Sequence, residues 1–128
     1  MLFRSFPFEG VSLRWYESVL GNSEFRRALT NSLVVAITTT LVTLVVGLLA
    51  SLGLTKVHGR LRPMLGGLFF VPLTLPGLFI GLSLLVWFSS IDLPPSLTSV
   101  TLAHAVYVFP YFVLIMLAVL DQIGRAHV

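Results

Sequence analysis

The feature that most constrains this chain is an uninterrupted apolar segment, residues 32–54, that contains no charged side chain. As a helix with a rise of 1.5 Å per residue it measures roughly 34 Å, enough to cross a hydrocarbon core of about 30 Å. Two further apolar segments follow at residues 64–90 and 97–120. The sequence therefore predicts an all-α, polytopic membrane helix bundle with three transmembrane helices.

Composition also favours a membrane over water. Hydrophobic residues make up 56% of the 128 residues and charged residues only 10%, whereas a soluble domain carries about 25% charged residues. The formal net charge is +3, but the basic residues lie near the segment ends rather than on one face, which argues against nucleic-acid binding. No cysteine is present, so disulfides and thiol chemistry are excluded.

The segment before the first span is polar, and residues 12–21 within it predict a short amphipathic helix that ends at Gly21 and Asn22. Trp15 and Tyr16 suit a membrane–water interface, although an ordinary loop helix explains them equally well. In the first span itself, small residues predict a face for helix packing rather than a substrate path. They are Thr38, Thr39, Thr40, Thr43, Gly47, Ala50 and Ser51.

A short basic loop separates the first two spans. Lys56, Arg60 and Arg62 lie close together without an acid, and the positive-inside rule places such a loop in the cytoplasm. The two arginines at residues 26–27 lie near the other end of the same span, so charge alone leaves the orientation open.

The second span is interrupted, because Pro72, Pro76 and Gly77 fall in its middle. A proline removes a backbone donor and clashes with the preceding turn, so we expect a kink or an unwound stretch. Irregular backbone is tolerated inside a bilayer only where protein or a water-filled cavity surrounds it. This segment is therefore expected to face the protein interior.

His104 lies well inside the third span, near Tyr107. An ionisable side chain is costly in a membrane and is a functional candidate by default. The alternative is a neutral imidazole that forms a hydrogen bond to another helix. The spans contain no carboxylate, no catalytic triad pattern, no histidine cluster at metal-ligand spacing and no phosphate-binding glycine loop. We therefore expect no catalytic residue, no metal and no cofactor.

Several short motifs follow one another in a familiar order. Gly-Val-Ser-Leu-Arg-Trp-Tyr (10–16) precedes Leu-Thr-Asn-Ser-Leu (29–33), then come the loop Lys-Val-His-Gly-Arg (56–60), the broken span and His104-x5-Pro110-Tyr-Phe-Val113. In this order the chain resembles the permease subunits of bacterial binding-protein-dependent ABC importers. The spermidine/putrescine branch is the most similar, and the iron(III) and thiamine permeases are near it.

The resemblance implies a location, partners and a topology. Such permeases lie in the bacterial inner membrane with a second permease subunit, a cytoplasmic ABC ATPase dimer and an extracytoplasmic substrate-binding protein. ATP is hydrolysed on the ATPase, so the chain itself is not expected to be an enzyme. By this similarity residues 1–31 and 91–96 lie outside, whereas residues 55–62 and the C-terminus lie in the cytoplasm.

The resemblance also predicts that residues 1–122 are part of a longer permease domain. Family members begin with another helix and carry a Glu-Ala-Ala-x3-Gly loop, which docks into the ATPase, after a Leu-Asp pair. Here that pair is Leu120 and Asp121, and the resemblance ends abruptly after Gln122. We expect residues 123–128 to be a non-native tail.

The favoured hypothesis is a permease with a translocation pathway along the broken span. Its expected lining residues, which shape and gate the path because none has a charge suited to a polyamine, are Pro72, Thr74, Pro76, Gly77, His104 and Tyr107. Two alternatives remain, a channel or secondary-transporter fragment and a membrane-anchoring structural subunit. Broken helices also occur in secondary transporters, but those usually carry an intramembrane charge.

Overall fold

The computed structural model describes the backbone of residues 13–126 and the side chains of residues 13–123. Within this range the chain is helical without a β-strand. The helices are α1 (Arg14–Gly21), α2 (Ser23–Thr55), α3 (Leu61–Phe70), a 3₁₀ helix (Pro72–Thr74), α4 (Gly77–Ser90) and α5 (Leu97–Ala126). The prediction of an all-α membrane protein is confirmed. The first residues of the 10–16 motif and the last two of the expected tail lie outside the described range.

The chain divides into two compact units, Met1–Leu33 and Val34–Val128. In the first, α1 ends at Gly21 as predicted, and its Trp15 and Tyr16 side chains are exposed. The side-chain Oδ1 of Asn22 accepts hydrogen bonds from the backbone N–H groups of Glu24 (2.8 Å) and Phe25 (3.2 Å). Because Asn22 caps two free donors, α2 begins at Ser23. The apolar pattern alone placed this start too late, at residue 32.

In the second unit, α2 buries one narrow face. Its buried residues recur every fourth position, which places them on one side of the helix; they are Val35, Thr39, Thr43, Gly47 and Ser51. This confirms the predicted packing face at Thr39, Thr43, Gly47 and Ser51. Thr38 is exposed, but its Oγ1 lies 3.3 Å from that of Thr101 on α5, whereas Thr40 is exposed and Ala50 is half-buried. The Thr38 and Thr40 hydroxyls donate to backbone carbonyls one turn earlier, both at 2.7 Å.

The buried face of α2 lies against α5. A Cβ atom at Gly47 would lie only 2.9 Å from Cε1 of Phe112, so a glycine is needed for this approach. The Thr39 hydroxyl donates to the Thr101 carbonyl at 3.5 Å. Small residues and threonine hydroxyls are typical of helix contacts in lipid, where apolar burial alone gives little driving force.

The second span is broken, as predicted. The segment Leu61–Thr74 meets Gly77–Ser90 at an angle of 97°. With 10 residues in α3 and 14 in α4, the two helices are about 15 and 21 Å long. Neither is long enough to cross about 30 Å of hydrocarbon alone.

Contacts with α5 show the direction in which α3 and α4 follow that helix. Arg62 in the first turn of α3 forms an ion pair with Asp121 near the end of α5, whereas α4 ends at Ser90, just before α5 begins at Leu97. From residue 97 to residue 121 the helix measures roughly 36 Å. The pair therefore extends from one end of α5 to the other. Within residues 13–126, α2 and α5 are each long and apolar enough to cross a membrane, and the number of spans is three if the bent pair counts as one.

The connection between α4 and α5 is a tight turn. Asp92 adopts a left-handed conformation with φ of 56°, which aspartate tolerates better than most residues. Ser96 then caps α5, because its Oγ accepts the Ser99 N–H at 3.2 Å while the Ser99 Oγ accepts the Ser96 N–H at 2.8 Å. This reciprocal pair explains why α5 begins where the sequence predicted.

Candidate functional site

A cleft of about 290 Å³ lies between α4 and α5, on the C-terminal side of the break. Its walls are mostly apolar and come from both helices; the lining residues are Gly77, Ile80, Gly81, Leu84, Ala103, His104 and Tyr107. The volume is at the lower end of the range for ligand pockets, about 300–1,000 Å³. The cleft therefore suits one small solute.

Helical spacing and two small residues create this cleft. The other α4 residues lie three, four and seven positions after Gly77, so they share one face of the helix. A Cβ atom at Gly77 would contact the Tyr107 ring at 3.3–3.5 Å, whereas a Cβ atom at Gly81 would meet nothing within 4 Å. Gly77 thus permits close approach of Tyr107, and Gly81 leaves open space beside it.

His104 contributes an imidazole ring to the lining of the cleft. Its Nδ1 lies 2.8 Å from the Val100 carbonyl, one turn earlier on α5. A carbonyl only accepts hydrogen bonds, so Nδ1 carries the proton and the neutral ring keeps a lone pair on Nε2. The alternative considered from the sequence, a bond to another helix, is wrong for Nδ1, because the helix supplies its own acceptor.

Two tyrosine rings continue the aromatic surface along α5. The ring centroids of Tyr107 and Tyr111 are 5.7 Å apart and the rings are tilted by 57°, a geometry within the range favoured by aromatic pairs. The residues are one turn apart, and Tyr107 is 36% exposed. The Tyr107 ring therefore lies between Gly77 at the start of α4 and the Tyr111 ring on α5.

The break is extended backbone between two helices. Pro72 begins the 3₁₀ helix, which ends at Thr74. Leu75 follows in an extended conformation with ψ of 136°, and Pro76 continues the extended path with φ of −58° and ψ of 132°. The Thr74 hydroxyl donates to the Val71 carbonyl at 2.8 Å. That hydroxyl therefore satisfies the local backbone, as expected for a threonine beside an unwound stretch.

The structure brings together half of the predicted site. Gly77, His104 and Tyr107 line the same cleft, whereas Pro72, Thr74 and Pro76 form the adjoining break and do not line it. The role of all six in translocation stays a prediction. The sequence analysis did not assign Ile80, Gly81, Leu84 and Ala103 to the site. Ile80, Gly81 and Leu84 could have been found from the sequence, because their spacing places them on the same helix face as Gly77.

The electrostatics of the cleft are simple. The described residues that line the cleft include no Asp, Glu, Lys or Arg. Within residues 13–126, no group of His, Asp and Glu is arranged to hold a metal ion. The cleft is therefore lined by apolar and aromatic surface and the His104 imidazole.

The chain was compared with protein-family models and with individual known proteins. No protein-family model matches this chain. Over 106 residues, 83% of this chain, it is 24% identical to the spermidine/putrescine transport system permease protein PotC of Escherichia coli strain K12. Over 104 residues, 81% of this chain, it is 26% identical to the protein of the same name from Haemophilus influenzae.

These relatives confirm the resemblance to ABC importer permeases that the motifs indicated. The matched region is 40% of the length of the E. coli protein and also 40% of the H. influenzae protein. The chain thus spans less than half of the relatives it matches. It is a multi-pass membrane protein similar to a permease over most of its own length.

Proposed function

We propose that this chain is part of the permease subunit of an ATP-driven importer and forms part of its translocation pathway. The observation that carries the proposal is the cleft beside the break at Pro76 and Gly77. Unwound backbone within a membrane is stable where it lines a cavity, and broken helices mark the substrate sites of several transporter classes.

The residues divide into two roles in this proposal. Pro72, Thr74 and Pro76 hold the break in its extended form, while Gly77, His104 and Tyr107 shape the cleft. None of them carries a permanent charge, so they gate and guide a solute rather than hold it tightly. Weak interaction suits a pathway, because a solute must leave it as readily as it enters.

We propose a polyamine as the solute, since the relatives are named for spermidine and putrescine transport. The partners proposed are a second permease subunit, a cytoplasmic ABC ATPase dimer and an extracytoplasmic binding protein. ATP hydrolysis takes place on the ATPase. Selection of the solute rests largely on the binding protein.

The proposed orientation places residues 1–31 and 91–96 outside and residues 55–62 and the C-terminus in the cytoplasm of a bacterial inner membrane. The ion pair of Arg62 with Asp121 supports one shared face for the basic loop and the end of α5. The positive-inside rule assigns that face to the cytoplasm.

Uptake by the assembled importer tests the proposal. A full-length permease that contains residues 1–122 is reconstituted in liposomes with its partner permease, ATPase and binding protein, and entry of radiolabelled putrescine is measured with and without ATP. We expect uptake only with ATP and all partners. Uptake without the ATPase would indicate a channel or secondary transporter, and absence of uptake from a correctly inserted complex would indicate a structural subunit.

A further inference from the structure

A second cavity lies at the end of α4, beside the tight turn that leads to α5. Its volume is about 740 Å³, and its walls come from the last turns of α4, the turn itself and the first turn of α5. Four of its lining residues are polar, and they are Ser89, Ser90, Asp92 and Ser99. We refer to it as the outer cavity, because the proposed orientation places this turn outside the membrane.

The outer cavity continues along the same two helices into the cleft that contains His104. On α4, Leu85 lines the outer cavity and the adjacent Leu84 lines the cleft. On α5, Ser99 lines the outer cavity, and Ala103, about one helical turn further along, lines the cleft. A solute in the outer cavity is therefore next to the cleft.

Asp92 gives the outer cavity a negative charge. Between residues 63 and 120 it is the only Asp, Glu, Lys or Arg of the sequence. Among residues 13–123, the structure gives its carboxylate neither a hydrogen bond nor an ion pair. The basic side chain of Arg62 is paired with Asp121 at the other end of α5. No described cation therefore neutralises the charge in the outer cavity.

The local backbone gives no reason for an acid at this position. The Leu93 N–H donates to the Phe88 carbonyl at 2.9 Å. The Asp92 N–H donates to the Ser89 carbonyl at 3.2 Å, and Asp92 has φ of 56°. This is a Schellman motif, in which glycine is the usual residue at the left-handed position. A negative charge at a helix C-terminus is also unfavourable, so the stability of the turn does not require the Asp92 carboxylate.

We propose that the outer cavity is the site where a cationic amine enters the cleft between α4 and α5, and that the Asp92 carboxylate binds its ammonium group. An ammonium group donates up to three hydrogen bonds, and those to a carboxylate are about twice as strong as bonds between neutral groups. The Ser90 hydroxyl donates to the Trp87 carbonyl at 2.7 Å, so its oxygen can accept a further N–H. This inference rests on the proposed function and names the first contact of the solute.

The electrostatic field of the cavity supports the same role. A concave surface with a single sign of charge raises the local concentration of oppositely charged solutes. The cleft beyond it contains no Asp, Glu, Lys or Arg among its described lining residues. A cationic amine is therefore attracted at Asp92 and is held less strongly further in, which allows it to move on.

Cysteine labelling tests the charge and the ligand directly. A complete importer is built with a full-length permease that contains residues 1–122, and Ser89→Cys supplies its single thiol, in the outer cavity. Rates of modification are measured with a cationic and an anionic methanethiosulfonate of similar size. Asp92→Asn removes the charge and Asp92→Glu keeps it. The matched control is Glu24→Gln, which removes an exposed acid that does not line this cavity.

We expect the ratio of the cationic rate to the anionic rate to fall roughly fivefold in Asp92→Asn, because the field of one nearby charge acts on the two reagents in opposite directions. Asp92→Glu and Glu24→Gln should keep the original ratio. Putrescine should slow the cationic reagent, and Asp92→Asn should abolish this protection. Butanediol, an uncharged chain of the same length, should not protect. An unchanged ratio in Asp92→Asn, or equal protection by butanediol, would overturn the inference.

Transport separates this inference from the importer proposal. If the importer without substitutions shows no ATP-dependent putrescine uptake, the proposed function fails, and cysteine labelling still decides whether the outer cavity binds a cationic amine. Where uptake occurs, Asp92→Asn should carry roughly threefold fewer putrescine molecules per ATP hydrolysed, since the field that concentrates the solute is lost. Asp92→Glu should match the unsubstituted importer. Unchanged transport per ATP in Asp92→Asn would show that the solute does not enter through this cavity.

Discussion

The ring of Phe112 on α5 lies so close to Gly47 on α2 that a Cβ atom at position 47 would lie 2.9 Å from Cε1. The buried residues one turn to either side, Thr43 and Ser51, both carry a Cβ atom. A shift of α2 along α5 by one turn in either direction would place one of them against the ring. This contact therefore holds α2 and α5 in one register.

The first prediction concerns this contact. Replacing Gly47 by Val should destabilise the helix pair by about 1–3 kcal/mol, because overpacking a close contact forces side chains or backbone to shift. Thermal unfolding in detergent micelles, followed by tryptophan fluorescence, measures the effect.

Gly53 supplies the matched control, because it lies on the same helix and a Cβ atom there would meet nothing within 4 Å. Gly53→Val should change stability much less. In the Gly47→Val background, Phe112→Ala should recover part of the lost stability by removing the ring. Equal destabilisation by the two glycine substitutions would show that the Phe112 contact does not hold the helices.

The second prediction concerns the ion pair of Arg62 and Asp121, whose side chains are 39% and 46% exposed. An exposed pair of this kind contributes about 0.2–1 kcal/mol. We expect a coupling energy in that range from a double-mutant cycle of Arg62→Ala and Asp121→Ala, measured by unfolding in sodium dodecyl sulfate. The cycle removes what each residue contributes through other contacts. A coupling indistinguishable from zero would mean that this pair does not help to join the two helices.

The third prediction concerns Pro76, which holds the break extended at φ of −58° and ψ of 132°. Pro76→Ala restores a backbone donor and relieves the restriction on Leu75, so the helices on either side can propagate into the break. We expect at least a fivefold loss of ATP-dependent putrescine uptake by the complete importer, with membrane insertion unchanged.

Pro63→Ala is the control for this change. Pro63 lies in the first turn of α3, where the missing N–H has no intrahelical partner in any residue type, and uptake should stay near the wild-type rate. Wild-type uptake by the Pro76→Ala importer would contradict a role for the break in transport.

The apolar segments correctly predicted helices, two of them long and apolar enough to span a membrane and a third pair broken at its middle, since hydropathy is a local property. The third span begins at Leu97 in the structure as in the prediction, because two prolines and a serine mark the boundary locally. The start of α2 was predicted too late. The Asn22 cap lies in a polar stretch that the hydropathy pattern does not mark, although its side chain provides a local signal.

The candidate site was predictable only in part. Pro76 and Gly77 predict the break, because proline and glycine alter the conformation of their own backbone. The sequence also marked His104 as unusual in an apolar span. That Gly77, His104 and Tyr107 line one cleft depends on how α4 packs against α5, which no local pattern sets.

By itself the sequence determined that this chain crosses a membrane, where its spans lie and where the second one breaks, because chain length, apolarity and proline geometry act over a few residues. Only the tertiary structure decided which residues meet. The pairing of Gly47 with Phe112, the ion pair of Arg62 with Asp121 and the cleft between α4 and α5 depend on how helices distant in sequence pack. Packing selects one arrangement among several that the same apolar pattern permits, because close contacts exclude overlap and buried polar groups need partners.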